Sequence, residues 1–145
     1  MRARHGNTGR GVKTLKIVVI DGQGGRMGRA IIDELKARCA EAEIVAVGTN
    51  SAATAAMLGG KPDAGATGEN AVVVNARDAD YIIGPIGVIV ADALHGEISP
   101  AMAVAIGQSR AKKILLPVSR CNTHIIGTRE LPLGELVGMI AAQID

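Results

Sequence analysis

The residues best suited to chemistry are gathered in one stretch, Asp21-Gly22-Gln23-Gly24-Gly25-Arg26-Met27-Gly28. Gly22 suits a tight turn, and Gly24 lets backbone amides approach an anion with no Cβ in the way. Gly28, one helical turn further on, allows a helix to lie close on a sheet. Amides exposed at a helix start near Gly25 favour an anion, each dipole contact worth about 0.3–1 kcal/mol. The stretch therefore reads as a phosphate cradle, with Gly22, Gln23, Gly24, Gly25, Arg26 and Met27 as candidate cofactor contacts. The plain alternative is a glycine turn that serves packing alone. No Lys-Ser or Lys-Thr pair follows the glycines, so this is not a P-loop. The last glycine stands one place later than in G-x-G-x-x-G, where Met27 sits instead. Asp21 would repel a phosphate unless a metal, an amine or a hydroxyl separates them; it could instead accept loop amides and fix the turn.

Three other groups have suitable types. Thr49 and Asn50 end the second strand, where an acid about 20 residues past the glycines usually takes the adenosine ribose. They can bond a hydroxyl, though without the strength of a charge, and no Arg stands beside them for a 2′-phosphate. Gly84-Pro85-Ile86-Gly87 ends a later strand and leaves room for a ribose or ring, or is a packing turn. The segment Pro117–His124 is the densest polar cluster. Arg120 could clamp a phosphate or carboxylate, with Cys121 and Asn122 as further substrate-binding candidates. Cys121 and His124 could pair as thiolate and imidazole, but are too few to hold a metal. Asp92 and His95 read as a surface or capping pair, and Cys39 as a small core residue.

Alternating strands and helices must position these groups. Lys16–Ile20 is a β-branched run of the kind buried on both faces of a sheet. Met27, Ile31, Leu35 and Cys39 then recur at helical spacing. Glu43–Val47 reads as a second strand, followed by a short Ala-rich helix that Ser51 could cap. Ala71–Arg77 is ambiguous and is assigned to helix. Asp80–Ile83 is a strand, Val88–Leu94 a short helix, and Ser99 with Pro100 starts a helix through Gln108. Lys113–Leu116 is a strand, His124–Ile126 a candidate short one, and a last helix covers Leu133–Ile144. The whole is one Rossmann-like α/β unit: a doubly wound parallel sheet with helices on both faces. In a 3-2-1-4-5 order, the turn at Gly84 would face the glycine turn across a crevice at the strand ends.

The chain of 145 residues suffices for one domain. Its apolar share of 48% and charged share of 21% exclude wholesale disorder, and 19 glycines with Tyr81 as the one aromatic imply thin, closely packed layers. The net charge of +2 conceals an asymmetry: residues 1–16 hold Arg2, Arg4, Arg10, Lys13 and Lys16 with no acid, so the remainder is net negative. Residues 1–14 read as a basic tail too poor in apolar side chains to order itself, and 15–145 as the folded body. The acidic body and lone aromatic make nucleic acid an unlikely partner. No apolar segment follows the basic residues as in a signal peptide, and no run suits a membrane span. The two cysteines form no disulfide framework, so a cytoplasmic protein is expected.

The string GQGGRMG at 22–28 resembles the nicotinamide-nucleotide turn of dihydrodipicolinate reductases, which implies that Gly24 to Met27 hold a cofactor pyrophosphate. That resemblance spans about a dozen residues; the reductases' His-His…Lys segment and substrate domain are absent. From Ile17 to the last helix, the stretches IVVIDGQGG, GTN…ATAAML, GATGENA, IIGPIG, GEISPAMA and ILLP…RCN resemble a bacterial family of unknown function, which implies a Rossmann-like unit and no activity. The resulting expectation is a nucleotide-binding protein, with NAD(H) as cofactor or another phosphate-bearing nucleotide in its place. Its role is left open between a non-catalytic, mononucleotide-responsive regulatory or oligomeric module and a small oxidoreductase completed by a partner subunit, with a homo-oligomer expected.

Overall fold

The computed structural model describes residues 12–118 and 122–145 together with the strand Arg4–His5. Five parallel strands form the body: β3 (Lys16–Asp21), β4 (Glu43–Gly48), β5 (Ala64–Thr67), β6 (Tyr81–Pro85) and β7 (Lys112–Leu116). They lie in the order β5-β4-β3-β6-β7, which is 3-2-1-4-5 when the body strands alone are counted. The helices are α1 (Arg26–Arg38), α2 (Ser51–Leu58), α3 (Glu69–Ala76), α4 (Pro100–Gln108) and α5 (Leu133–Gly138). The strand order reverses between β3 and β6, the point at which such sheets open a crevice.

The period of two along β3 divides the core. Ile17 and Val19 face one side with Ile31, Ile32 and Leu35 of α1, Met57 of α2, and Val137 and Ile140 near the C-terminus. Val18 and Ile20 face the other side with Val72 of α3 and Met102 and Ile106 of α4. Both faces are covered, which is why these strands read as unbroken apolar runs. Tyr81 is buried in the first core, and its hydroxyl accepts the amide of Asp145 at 3.0 Å, tying the chain end to the sheet. Among the described residues, no helix is long and apolar enough to cross a membrane.

Several local expectations are corrected. Arg4–His5 (β1) pairs antiparallel with Val12–Lys13 (β2), inside the stretch expected to lack structure. β5 arises from AGAT, an edge segment with no apolar alternation to announce it. Asn50, not Ser51, caps α2, its side chain accepting the amide of Ala53 at 2.8 Å. The helix expected at Val88–Leu94 is a 3-10 turn over Ile86–Ile89 that ends where Val90 becomes extended, and Asp92 and Leu94 beyond it take φ of 68° and 57°. His124–Ile126 is no strand: Thr128 turns back onto the Ile125 carbonyl through both its amide and its hydroxyl. The last α-helix ends at Gly138, and a 3-10 turn at Ala141–Gln143 replaces its final turn.

Gly84 belongs to this packing. A Cβ there would overlap the Ile20 carbonyl of the neighbouring strand. Gly84→Ala is therefore expected to cost about 1–3 kcal/mol in urea unfolding, at an unchanged m-value. A neutral result would show that β3 and β6 are not this close.

Candidate functional site

Asp21 closes β3 and organises the glycine turn. Its Oδ1 accepts the Gly22 amide at 2.8 Å, and its Oδ2 accepts the Gly28 amide at 2.6 Å. Of the two uses open to this residue, repelling a phosphate or holding the turn, the second is what the bonds describe. Burial pushes its carboxyl above the ordinary 3.8; the amides of Gly28 and Gly22 pull it partly back, and the charge of Glu97 adds to the rise. Gly25 turns the chain into α1 with φ 76°, a conformation costly for other residues, and a Cβ there would lie 2.6 Å from the Ala53 carbonyl. At Gly28 a Cβ would meet Met57 and Asp21, so α1 lies as close to the sheet as the spacing implied.

The N-cap residue of α1, Gly25, has no side chain to cap it. The first amides of a helix have no intrahelical acceptor. Asp21 takes the third, at Gly28. Arg26 and Met27 contribute the first two, and both line a cavity of about 410 Å³. The turn Asp21–Met27 forms one side of it, Pro85 and Gly87 at the end of β6 another, with Val118, Leu94 and Leu133 completing the wall. A Cβ on Gly24 would meet no described atom within 4 Å.

The cavity gathers Gly22, Gln23, Gly24, Gly25, Arg26, Met27 and Pro85, but other expected contacts lie elsewhere. Gly84 is buried against β3. Ile86 lines a small separate hollow of about 20 Å³ with Pro117 and His124. Asn122, at φ 50°, borders a second cavity of about 390 Å³ with Gln23 and the segment Val90–His95. Arg120 and Cys121 lie outside the described residues. Asp92 and His95 are exposed on a turn rather than paired on a helix. Cys39 is buried and free, and burial pushes its thiol up.

Thr49 and Asn50 are already engaged, by Glu97, which lies in the stretch GEISPAMA but is not among the expected site residues. Glu97 reaches them from the segment between β6 and α4: its Oε1 accepts the Thr49 hydroxyl at 2.6 Å, the Asn50 amide group at 2.9 Å and the Gln23 backbone amide at 2.9 Å. Its Oε2 accepts the Gln23 side chain at 2.8 Å. Partial burial raises the Glu97 carboxyl, but the bonds from Thr49, Gln23 and Asn50 outweigh it and hold the group below its ordinary 4.5. No spacing in the sequence links Glu97 to the glycine turn; only the fold brings them together. Among the described residues, no group of three or more His, Cys, Asp or Glu could hold a metal ion.

A family model described as "Domain of unknown function (DUF3842)" matches residues 16–145. No curated protein matches the chain. A solved structure with a related course is that of a nucleoside-diphosphate-sugar epimerase from Pseudomonas aeruginosa. It is 18% identical with a TM-score of 0.45, over 67% of this chain and 31% of that one. The chain thus spans less than a third of that protein's length.

The buried Asp21 gives stability a definite pH dependence. Its folded pKa lies above the ordinary 3.8, so the native state holds its proton longer than the unfolded state. Its contribution to stability is thus greatest below 3.8 and declines as pH rises through the folded value. In urea titrations across pH, the stability of wild type relative to Asp21→Asn should fall with rising pH over that window. A flat difference would contradict a raised pKa.

Proposed function

The chain belongs to the DUF3842 family, a domain of unknown function, and from its site we propose that it binds a phosphate-bearing nucleotide, NAD(H), in the crevice between β3 and β6. The carrying observation is the conjunction at Gly24: a helix start whose N-cap is a glycine, two amides without intrahelical acceptors and a side-chain-free position all border one cavity. Those residues fit a pyrophosphate. Arg26 and Met27 offer amides to its oxygens, and Gly24 admits it without steric overlap. The exposed Arg26 side chain adds a cation at the rim. Pro85, Val118, Leu94 and Leu133 offer apolar surface to a ring. When bound, the nicotinamide would supply hydride chemistry; the residues of the cavity bind and orient it.

Asp21 is the one carboxylate of the described lining, and each of its oxygens already accepts a backbone amide. Proton transfer would break the turn that holds the ligand, which favours a binding module over a self-sufficient oxidoreductase.

NADH binding can be followed by the reduced nicotinamide's own fluorescence, excited where protein side chains do not absorb. Gly24→Val places a side chain in the cavity without meeting a described atom, so folding should be retained. Its NADH affinity should fall by about tenfold or more, at an unchanged melting temperature. Equal affinity in wild type and variant would overturn the phosphate cradle.

A further inference from the structure

We propose that Glu97 is the ribose-recognising carboxylate of this site, delivered to the end of β4 from the segment between β6 and α4. The proposal rests on the nucleotide reading above and names the ligand more closely. In sheets of this kind, the adenosine ribose is met by an acid at the end of the second body strand. Here that strand ends Gly48-Thr49-Asn50 and carries none. Glu97 reaches the same place through space. Its Oε1 is anchored on Thr49 and Asn50 at the strand end and on the Gln23 amide of the glycine turn. Strand end and glycine turn are the two elements between which an adenosine ribose would sit.

The oxygens divide the work. Oε1 takes three donors and is saturated; Oε2 takes one, from the side chain of Gln23, which is exposed. A carboxylate oxygen offers about two lone pairs; the three donors at Oε1 share its two, while Oε2 keeps one of its own free. Oε2 therefore has capacity for a hydroxyl now, and for a second when the Gln23 side chain swings away. A vicinal diol presents two such donors. The four bonds that reach this carboxylate come from neutral groups, so they leave its charge uncancelled. A 2′-phosphate offers oxygens in place of a donor and meets a like charge, so the class recognised is a nucleotide with a free 2′-hydroxyl.

The backbone serves this placement. Leu94, His95 and Gly96 run consecutively at φ 57°, 56° and 90°. Two of them are not glycine, and such conformations persist where the surroundings hold them. The turn is closed by the Glu97 amide on the Leu94 carbonyl at 3.1 Å, and the Gln23 side chain also reaches that carbonyl, at 3.3 Å.

Fluorescence titrations would compare wild type, Glu97→Gln and Glu97→Ala, with NADH, NADPH and reduced nicotinamide mononucleotide as probes. Wild type should prefer NADH to NADPH by about tenfold or more, and Glu97→Ala should lose about tenfold in NADH affinity. It should also narrow the preference and leave the mononucleotide, which lacks the adenosine ribose, unaffected. Glu97→Gln keeps an acceptor and should lose less; it decides the matter if the alanine variant melts early in circular dichroism. Equal or tighter NADH binding by the decisive variant would overturn the proposal, since Glu97 would then be inert or a filler of the ribose place. If Gly24→Val weakens NADH binding while the Glu97 variants do not, the Glu97 assignment alone fails. If wild type binds none of the probes, both readings fall.

Discussion

Asp21 ties three pieces of chain together with one carboxylate. By accepting amides at Gly22 and Gly28, it fixes where β3 ends, how the glycine turn leaves it and where α1 begins. Each bond to an ionised carboxylate is stronger than a neutral one, and both are buried. Asp21 thereby serves the first turn of α1, whose N-cap residue Gly25 has no side chain to do so. The position of the cavity, the approach of α1 to the sheet at Gly28 and the contact of Gly25 with α2 all depend on that fixed geometry.

This arrangement has an electrostatic cost. A carboxylate beneath the proposed phosphate site would oppose the ligand's charge, and Glu97 adds a second negative charge that Asp21 feels. The fold limits the conflict by giving both oxygens of Asp21, which borders the cavity, to amides of the turn. Backbone dipoles and the exposed Arg26 supply the opposing positive field.

Much of the architecture is legible because burial on both faces writes itself plainly into a sequence. Lys16–Ile20, Glu43–Val47 and Lys113–Leu116 are apolar runs that become β3, β4 and β7, and Ser99-Pro100 announces α4. β5 is not legible, because an exposed edge strand of small residues carries no alternation. The segment after β6 reads as helix and is not one, because left-handed φ at Asp92, Leu94 and His95 is a property of the surroundings rather than of those residue types. For the same reason the stretch GEISPAMA holds Glu97 without showing what it meets: its partners Gln23, Thr49 and Asn50 lie 47 to 74 positions away along the chain. Thr49 and Asn50 stand out in the sequence as polar groups at a strand end, while the acid that engages them does not.

The bond between Tyr81 and Asp145 gives the molecule a built-in optical reporter. With no Trp or Phe in the chain, Tyr81 is the sole aromatic chromophore, and it touches the last residue while buried in the sheet. The preceding segment contributes Leu133 to the cavity wall and is held down by Val137 and Ile140. Near-ultraviolet dichroism of this protein is therefore a single-residue signal. It reports whether the C-terminal segment is seated, and with it whether that side of the cavity is closed.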